Sequence, residues 1–268
     1  RVRAVASLAD DGFAVAWASA GLDASGAGIV FQLFDPMGAK QGPEVLANTT
    51  EENEQSMPSM AVTGEGKLVI VWQSDKQDDG GPAGKSQAIV CRLFDLQGTS
   101  LSDEIIVNDN PIGEQRNPHV TALPGGGFFV AWESDAGEDG SVEGIRGRAF
   151  NSAGEKVGDE GQLNDVWEEK QVWPITTALS SGRIVVVWRQ QGGNVDLQGI
   201  PHRMFEEDGS PATPEMMAST YLDNSQNSAT VGAVVGGYVV VWASSGQDGS
   251  DSGVYAQRFD QNGAKLYH

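Results

Sequence analysis

The sequence predicts an all-β fold built from repeated four-stranded antiparallel units, and three observations support this. Tryptophan recurs at intervals of 54 to 60 residues, at Trp17, Trp72, Trp132, Trp188 and Trp242. Glycine is abundant, with 35 among 268 residues, which favours tight turns and short strands. No stretch shows a convincing helical period of apolar residues. Four short strands in each unit of about 50 residues are typical of a β-propeller blade, so we expect a five-bladed β-propeller.

The strand that ends at each repeated tryptophan supports this architecture. In Ile184–Trp188 both faces of the strand are apolar, so the strand must be covered on both sides. Blades in a ring meet this condition because each blade packs against two neighbours. A single β-sandwich would alternate apolar with polar residues, and a β-solenoid would need a shorter repeat.

Two further signatures delimit the repeats. A phenylalanine with glycine four residues later, as in Phe94 and Gly98, indicates a tight hairpin turn. Glutamate, then asparagine and then glutamine recur at fixed spacing, as in Glu104, Asn108 and Gln115. In the third repeat we expect strands at His119–Leu123, Phe128–Glu133, Gly144–Phe150 and Glu160–Asn164. The chain is predicted to be one domain with repeats at about 1–48, 56–108, 116–164, 172–219 and 227–268.

Five inner three-strand sets but only four outermost strands are recognisable in the sequence. This count predicts a segment of a longer chain, either a five-bladed ring or part of a larger one. A long polar side chain also recurs two residues before each phenylalanine of the hairpin signature, and we expect it to tie each blade to its neighbour: Gln32, Arg92, Arg148, Arg203 and Gln257.

The charge excludes several partners. The chain has 37 acidic and 17 basic residues, a net charge of −20, and this field repels phosphate and anionic lipid. We therefore expect neither nucleic-acid binding nor membrane insertion, whereas cations and neutral ligands stay possible. The single cysteine, Cys91, excludes an internal disulfide framework and is expected to be a small core residue.

The loops after the repeated tryptophans are candidate calcium sites. In each, an Asp or Asn precedes a Gly by five residues, and short Asp loops with backbone carbonyls can wrap Ca²⁺. The alternative is that these side chains only form turns by bonding their own backbone. The candidate ligands are Asp23, Asp79, Asp139, Asn194, Asp248 and Asp251.

Trp167 and Trp173 lie outside the tryptophan repeat. Both fall on the face that carries the long acidic loops, where an aromatic ring with polar neighbours could stack on a sugar. The alternative for Trp173 is that it only fills space between blades.

The last repeat, with Gly237–Trp242 and then Gln247–Asp260, resembles the GG-[FY]-VV-x-W … DGS-x-x-GVYAQRFD-x-x-G repeat of very large secreted bacterial proteins. Such proteins often also carry RTX calcium-binding or cadherin-like modules. The resemblance implies a bacterial extracellular or cell-surface location and a calcium-rich setting, and it implies no catalytic residue.

These observations predict a non-catalytic module that binds carbohydrate or a cell-surface ligand, with Ca²⁺ in its acidic loops. The alternatives are a structural spacer of a giant surface protein and a glycan-cleaving propeller enzyme. The three histidines, His119, His202 and His268, form no convincing triad. The many acids leave a carboxylate pair for glycoside hydrolysis possible, but no pattern selects one. The sequence does not predict the oligomeric state.

Overall fold

A computed structural model of the chain describes residues 2–21, 26–50, 52–75, 77, 87–135, 143–165, 169–192, 199–221 and 224–266. The described residues form twenty strands in five four-stranded antiparallel sheets. The predicted five-bladed β-propeller is confirmed. None of the described segments is a helix that could cross a membrane.

Each sheet is one blade made of consecutive strands. The first blade comprises β1 (Val2–Ser7), β2 (Phe13–Ala20), β3 (Ala27–Phe34) and β4 (Lys40–Leu46). The second comprises β5 (Gln55–Val62), β6 (Leu68–Asp75), β7 (Gln87–Phe94) and β8 (Ile105–Ile106). The third comprises β9 (Gln115–Ala122), β10 (Phe128–Ser134), β11 (Gly144–Phe150) and β12 (Lys156–Gln162). The fourth comprises β13 (Lys170–Ala178), β14 (Ile184–Gln191), β15 (Pro201–Phe205) and β16 (Met216–Met217). The fifth comprises β17 (Gln226–Val234), β18 (Gly237–Ser245), β19 (Ser252–Asp260) and β20 (Lys265–Leu266).

Two strands of the third blade differ from their predicted bounds. The innermost strand, β9, begins four residues earlier than predicted, and the outermost strand, β12, ends before Asn164. Asn164 follows the strand because its side-chain Oδ1 accepts the backbone N–H of Ile145 at 2.9 Å. The repeated asparagine therefore holds the segment after the outermost strand against the third strand of its blade through its side chain, and it takes no part in the backbone pairing of the strands.

The glutamate signature joins successive blades. The Glu104 carboxylate accepts the backbone N–H of Thr50 at 3.1 Å, and that of Glu160 accepts the N–H of Asp109 at 2.6 Å. In the fourth blade, Glu215 accepts the N–H of Asp165 at 2.8 Å. Each acid reaches the segment that leaves the previous blade, so these carboxylates satisfy backbone donors between blades.

The expected blade ties form where the residue is arginine. The guanidinium groups of Arg92, Arg148 and Arg203 each donate to a backbone carbonyl of the preceding blade, at 2.9 to 3.1 Å. Gln32 and Gln257 instead bond carbonyls within their own blades. The prediction is wrong for these two because the shorter amide bonds the adjacent strand of its own blade.

Apolar side chains pack into four clusters, one between each successive pair of blades. Trp72, Trp132, Trp188 and Trp242 are buried in them, and Cys91 is a buried core residue. Trp17, at the same place in the first repeat, is only half-buried. The reason is local: among the described residues, no apolar cluster joins the fifth blade to the first.

Candidate functional site: the central cavity

The innermost strands of four blades share an unusual backbone position. Met57, Asn117, Trp173 and Ser228 occupy the same place in the second to fifth repeats, with φ between 50° and 60°. Strand register shifts around this position, and proline follows it in three repeats. Left-handed backbone is costly for residues other than glycine and is commonly retained at binding sites.

Three of these four residues line a cavity of about 350 Å³ where the innermost strands converge. We call it the central cavity, and its lining is Ala4, Val5, Met57, Pro58, Ser59, Met60, Asn117, Pro118, His119, Trp173, Pro174 and Ile175. A second space of about 310 Å³, the side cavity, is lined by Trp173, Ile175, Arg189, Asn227, Ser228 and Ala229. Trp173 and Ile175 belong to both cavities.

Trp173 is open to solvent in these cavities. Its side chain is 59 % exposed, so it does not fill space between blades. A wide, largely apolar pocket with a few polar groups suits a small ligand or a sugar unit, and an exposed indole provides a flat stacking surface. The structure therefore places this predicted ligand-binding residue at a cavity.

Glu133 lies behind the cavity wall. It follows Trp132 in β10, and its Oε1 accepts the backbone N–H of Trp173. The residue is 3 % exposed, and this burial raises the pKa of its carboxyl to about 7, although bonds from Trp173 and Asn117 and the charge of Arg116 oppose the shift. The Glu133 carboxyl therefore gains or loses its charge near neutral pH. The same carboxyl accepts the backbone N–H of the exposed Trp173.

A network of charges surrounds Glu133. Arg116, its partner in the strand ladder, pairs with Glu114 at 3.0 Å and with Glu143 at 3.2 Å. Lys170 also approaches Glu143 at 3.2 Å. Because the Arg116 charge is shared among these acids, its attraction does not outweigh the burial of Glu133.

His119 is the ionisable side chain among the residues that line the central cavity. Its Nδ1 accepts the backbone N–H of Thr176 at 3.1 Å and lies 3.0 Å from the Thr176 hydroxyl. Burial lowers the pKa of the imidazole to about 4, so the ring is neutral at pH 7. The bond at Nδ1 places the remaining ring proton on Nε2, where it is available to a ligand.

The described calcium candidates are engaged in a turn. The Asp248 Oδ1 accepts the N–H and the hydroxyl of Ser250 at 3.0 and 2.7 Å, and the Asp251 carbonyl accepts the N–H of Gly246 at 3.3 Å. Three or more His, Cys, Asp or Glu side chains do not gather as a metal site within the described parts of the chain. The other candidates lie outside the described residues: Asp23, Asp79, Asp139, Asn194 and Trp167.

Sequence reasoning missed Glu133, His119 and Arg189 as parts of a site. One signal was present. The residue after the repeated tryptophan is polar in the middle repeats, as Gln73, Glu133 and Arg189, and alanine in the first and last. The role of this polar residue depends on which backbone group of the next blade faces it, and the spacing of residues along the chain does not show that contact.

No protein-family model and no curated protein matches the sequence. Among solved structures, a Dyadobacter fermentans protein of unknown function is similar at a TM-score of 0.63 and 7 % identity, over 97 % of this chain and 78 % of that one. An ulvan lyase, a polysaccharide lyase bound to -[GlcA(1-4)Rha3S]-, is similar at a TM-score of 0.59 and 8 % identity, over 97 % of this chain and 67 % of that one. The Penicillium chrysogenum α-L-arabinanase complexed with arabinobiose is similar at a TM-score of 0.61 and 13 % identity, over 99 % of this chain and 80 % of that one.

These comparisons correct the prediction of a non-catalytic binding or adhesion module. The structures that share the fold over nearly the whole chain include a polysaccharide lyase, an endo-arabinase and an α-L-arabinanase. The expectation that the chain is not an enzyme is therefore wrong, and the glycan-cleaving alternative is the better supported. The sequence misled because the repeat motifs describe the packing of blades and carry no information about the cavity they enclose.

Proposed function

We propose that this chain is an enzyme that cleaves polysaccharides and that the central cavity holds the sugar chain. The observation that carries the proposal is the exposed indole of Trp173 in a cavity that also presents His119 and Asn117. The fold adds support, because solved structures of the same architecture are named as an ulvan lyase and as arabinan-cleaving enzymes.

Each cavity residue has a role that follows from its chemistry. Trp173 stacks on a sugar ring, and the Asn117 amide bonds a sugar hydroxyl. His119 is neutral and fixed at Nδ1 by Thr176, so its Nε2–H donates a hydrogen bond to the glycosidic oxygen and stabilises the negative charge that grows there as the bond to carbon breaks. The imidazole keeps its proton, and the leaving oxygen takes a proton from water. Glu133 is a positioning residue, because it holds the backbone N–H of Trp173 from behind the cavity wall.

We also propose an extracellular or cell-surface location, because polysaccharides of this kind lie outside the cell and the last repeat resembles secreted bacterial proteins. Calcium in the acidic loops stays a proposal beside this one. The turn formed by Asp248 supports the turn-forming role for that loop.

The test is the release of new reducing ends or of oligosaccharide products from a panel of polysaccharides, including arabinan and ulvan. Two variants examine His119. In His119→Asn the amide oxygen takes the place of Nδ1 and keeps the bond to Thr176, but the donor at Nε2 is lost. In His119→Gln the amide reaches the place of Nε2 and restores a donor. We expect a loss of about 10²- to 10³-fold in kcat/KM for the first and partial recovery for the second.

A matched pair examines Glu133. Glu133→Gln keeps an oxygen for the Trp173 N–H but removes the titration near pH 7, so the pH profile of kcat/KM should flatten there. Glu160→Gln is the control, because Glu160 also accepts a backbone N–H between blades, and its described partners Asp109, Asn110 and Arg146 lie outside the linings of both cavities. No product from any polysaccharide, or full activity in His119→Asn, contradicts the proposal.

A further inference from the structure

Arg189 breaks a bonding pattern that two other blades keep. In the second blade, the Gln73 Oε1 accepts the backbone N–H of Asn117 at 3.2 Å. In the third blade, Glu133 accepts the N–H of Trp173 in the same way. The fourth blade has Arg189 at this place, and a guanidinium has no acceptor atom. The Arg189 side chain therefore cannot accept a backbone N–H from the next blade.

The guanidinium is poorly satisfied by the protein. With the Gln191 amide turned so that its oxygen faces Arg189, that oxygen accepts from Nη2 at 2.9 Å and from Nη1 at 3.1 Å. The Nε–H is buried and has no partner among the described residues. Two of five donors are therefore used, and desolvation lowers the pKa of the group.

Most other described arginines are paired with an acid or with a backbone carbonyl. Arg116, Arg148 and Arg203 each have a carboxylate oxygen within bonding distance. Arg92 and Arg258 have no carboxylate within 4.0 Å among the described residues, but each donates to a backbone carbonyl, at 2.9 and 3.0 Å. Within the described parts of the chain, no carboxylate lies within 4.0 Å of Arg189. Arg189 is thus a half-buried arginine that has neither a carboxylate nor a backbone carbonyl as a partner among the described residues.

The surroundings of Arg189 are those of a ligand site. It lines the side cavity with Trp173, and its strand partner Val172 directly precedes that tryptophan. Among the described residues, neither the central nor the side cavity is lined by Asp or Glu. Within that part of the chain, Arg189 is the charged side chain of the two linings, and it lies next to the indole that both cavities share.

From this placement we infer that Arg189 is an anion subsite and that the substrate is an acidic polysaccharide. The guanidinium binds a uronate carboxylate or a sulfate ester on the sugar unit next to the one that stacks on Trp173. The inference rests on the proposed function, since it names the substrate class of the same site. A planar guanidinium fits such anions with two parallel hydrogen bonds.

The net negative charge of the protein does not oppose this. Exposed charges farther than about 10 Å away are screened at physiological salt. A partly desolvated guanidinium acts at close range in a medium of lower dielectric constant, where its attraction for an anion is stronger.

The experiment is calorimetric titration of the intact chain, at fixed ionic strength, with matched oligosaccharides. The probes are tetrasaccharides of glucuronate, galacturonate and mannuronate with their carboxyl-reduced forms, and a sulfated carrageenan tetrasaccharide with its desulfated form. We expect at least one anionic probe to bind tenfold or more tightly than its neutral form. The carboxylate and sulfate pairs show which anion is preferred.

Arg189→Gln should abolish this difference, because the affinity for an anionic probe should fall to that for its neutral form. Arg189→Lys should keep part of it, because the charge stays but the two-pronged geometry is lost. Arg183→Gln is the control, since it removes the same charge at a half-exposed pair with Glu206 at 3.3 Å. Equal affinity for all anionic and neutral forms, or an unchanged preference in Arg189→Gln, overturns the inference.

Binding and cleavage separate the two proposals. If Arg189 selects an anionic probe but no polysaccharide is cleaved, the proposed function fails and the anion subsite stands. If neutral polysaccharides are cleaved equally well by wild type and Arg189→Gln, and anionic ones are not cleaved, the function stands and the acidic substrate is wrong.

Discussion

Replacing Trp132 by alanine tests the packing between blades against a control in the same chain. Trp132 is fully buried between the second and third blades, and its Nε1 donates to the Gln115 Oε1 at 2.9 Å. Trp17 holds the same place in the first repeat, but it is half-buried and belongs to none of the four apolar clusters. The two substitutions remove the same atoms from unlike surroundings.

The expected magnitudes follow from burial. Loss of a buried tryptophan side chain costs about 3–5 kcal/mol in the free energy of unfolding, and the Gln115 oxygen left without its donor adds about 1 kcal/mol. Trp17→Ala removes a side chain that is only half withdrawn from water, which costs about 1–2 kcal/mol. At about 2–4 °C per kcal/mol for a chain of this size, a loss of about 4–6 kcal/mol in Trp132→Ala should lower the melting temperature by about 8–24 °C.

The assay is thermal unfolding followed by circular dichroism, with both variants measured beside the wild type. A drop of at least twice the size in Trp132→Ala supports the blade packing described above. Equal drops in the two variants would refute the reasoning, because they would mean that the first blade is covered as fully as the third.

Four further predictions use the same measurements. Burial lowers the pKa of His202 to about 4, so as the pH falls below about 6.5 the imidazole is protonated in the unfolded chain before it is protonated in the folded one. Stability that is present above about pH 6.5 should therefore be lost towards pH 4. In urea unfolding, the free energy of unfolding of His202→Leu should decline less over this pH range than that of the wild type. The raised pKa of Glu133 acts in the opposite sense: its contribution is fully present below pH 4.5 and is lost as the pH rises through about 7, so Glu133→Gln should be more stable relative to wild type at pH 8 than at pH 4.5. Asn108→Ala should cost about 1–3 kcal/mol in chemical denaturation, because the buried N–H of Ile89 loses its partner at 2.9 Å; a change below 0.5 kcal/mol would contradict that. Calcium should raise the melting temperature, and a chelator lower it, beyond the effect of NaCl at matched ionic strength; if the two salts act equally, the Asp248 loop and its relatives only form turns.

Much of the fold was predictable because it is repeated. The glycine of each hairpin signature has φ between 80° and 86°. In four of the five repeats the residue after the phenylalanine, such as Asp95, accepts the backbone N–H groups two and four positions later. These interactions are local, and their spacing along the chain therefore shows them. The expected blade ties failed at Gln32 and Gln257 because the length of the side chain decides which strand it reaches.

The site was predictable only in part because it depends on contacts between blades. The sequence identified Trp173 as a ligand-binding candidate, and the structure places it at a cavity. Glu133 bonds the backbone of Trp173, which lies 40 residues later in the next blade. The lack of a carboxylate beside Arg189 among the described residues also depends on how blades pack. The half-exposure of Trp17 likewise depends on what covers the first blade, which no single repeat encodes.

The most direct test of the central claim is mass-spectrometric product analysis after the purified chain is incubated with the polysaccharide panel. The account predicts oligosaccharide products from an acidic polysaccharide with the wild type, and a large loss of those products with His119→Asn at an unchanged melting temperature. No products from any polysaccharide, or the same products at the same rate from His119→Asn, would contradict the claim that the central cavity cleaves glycans.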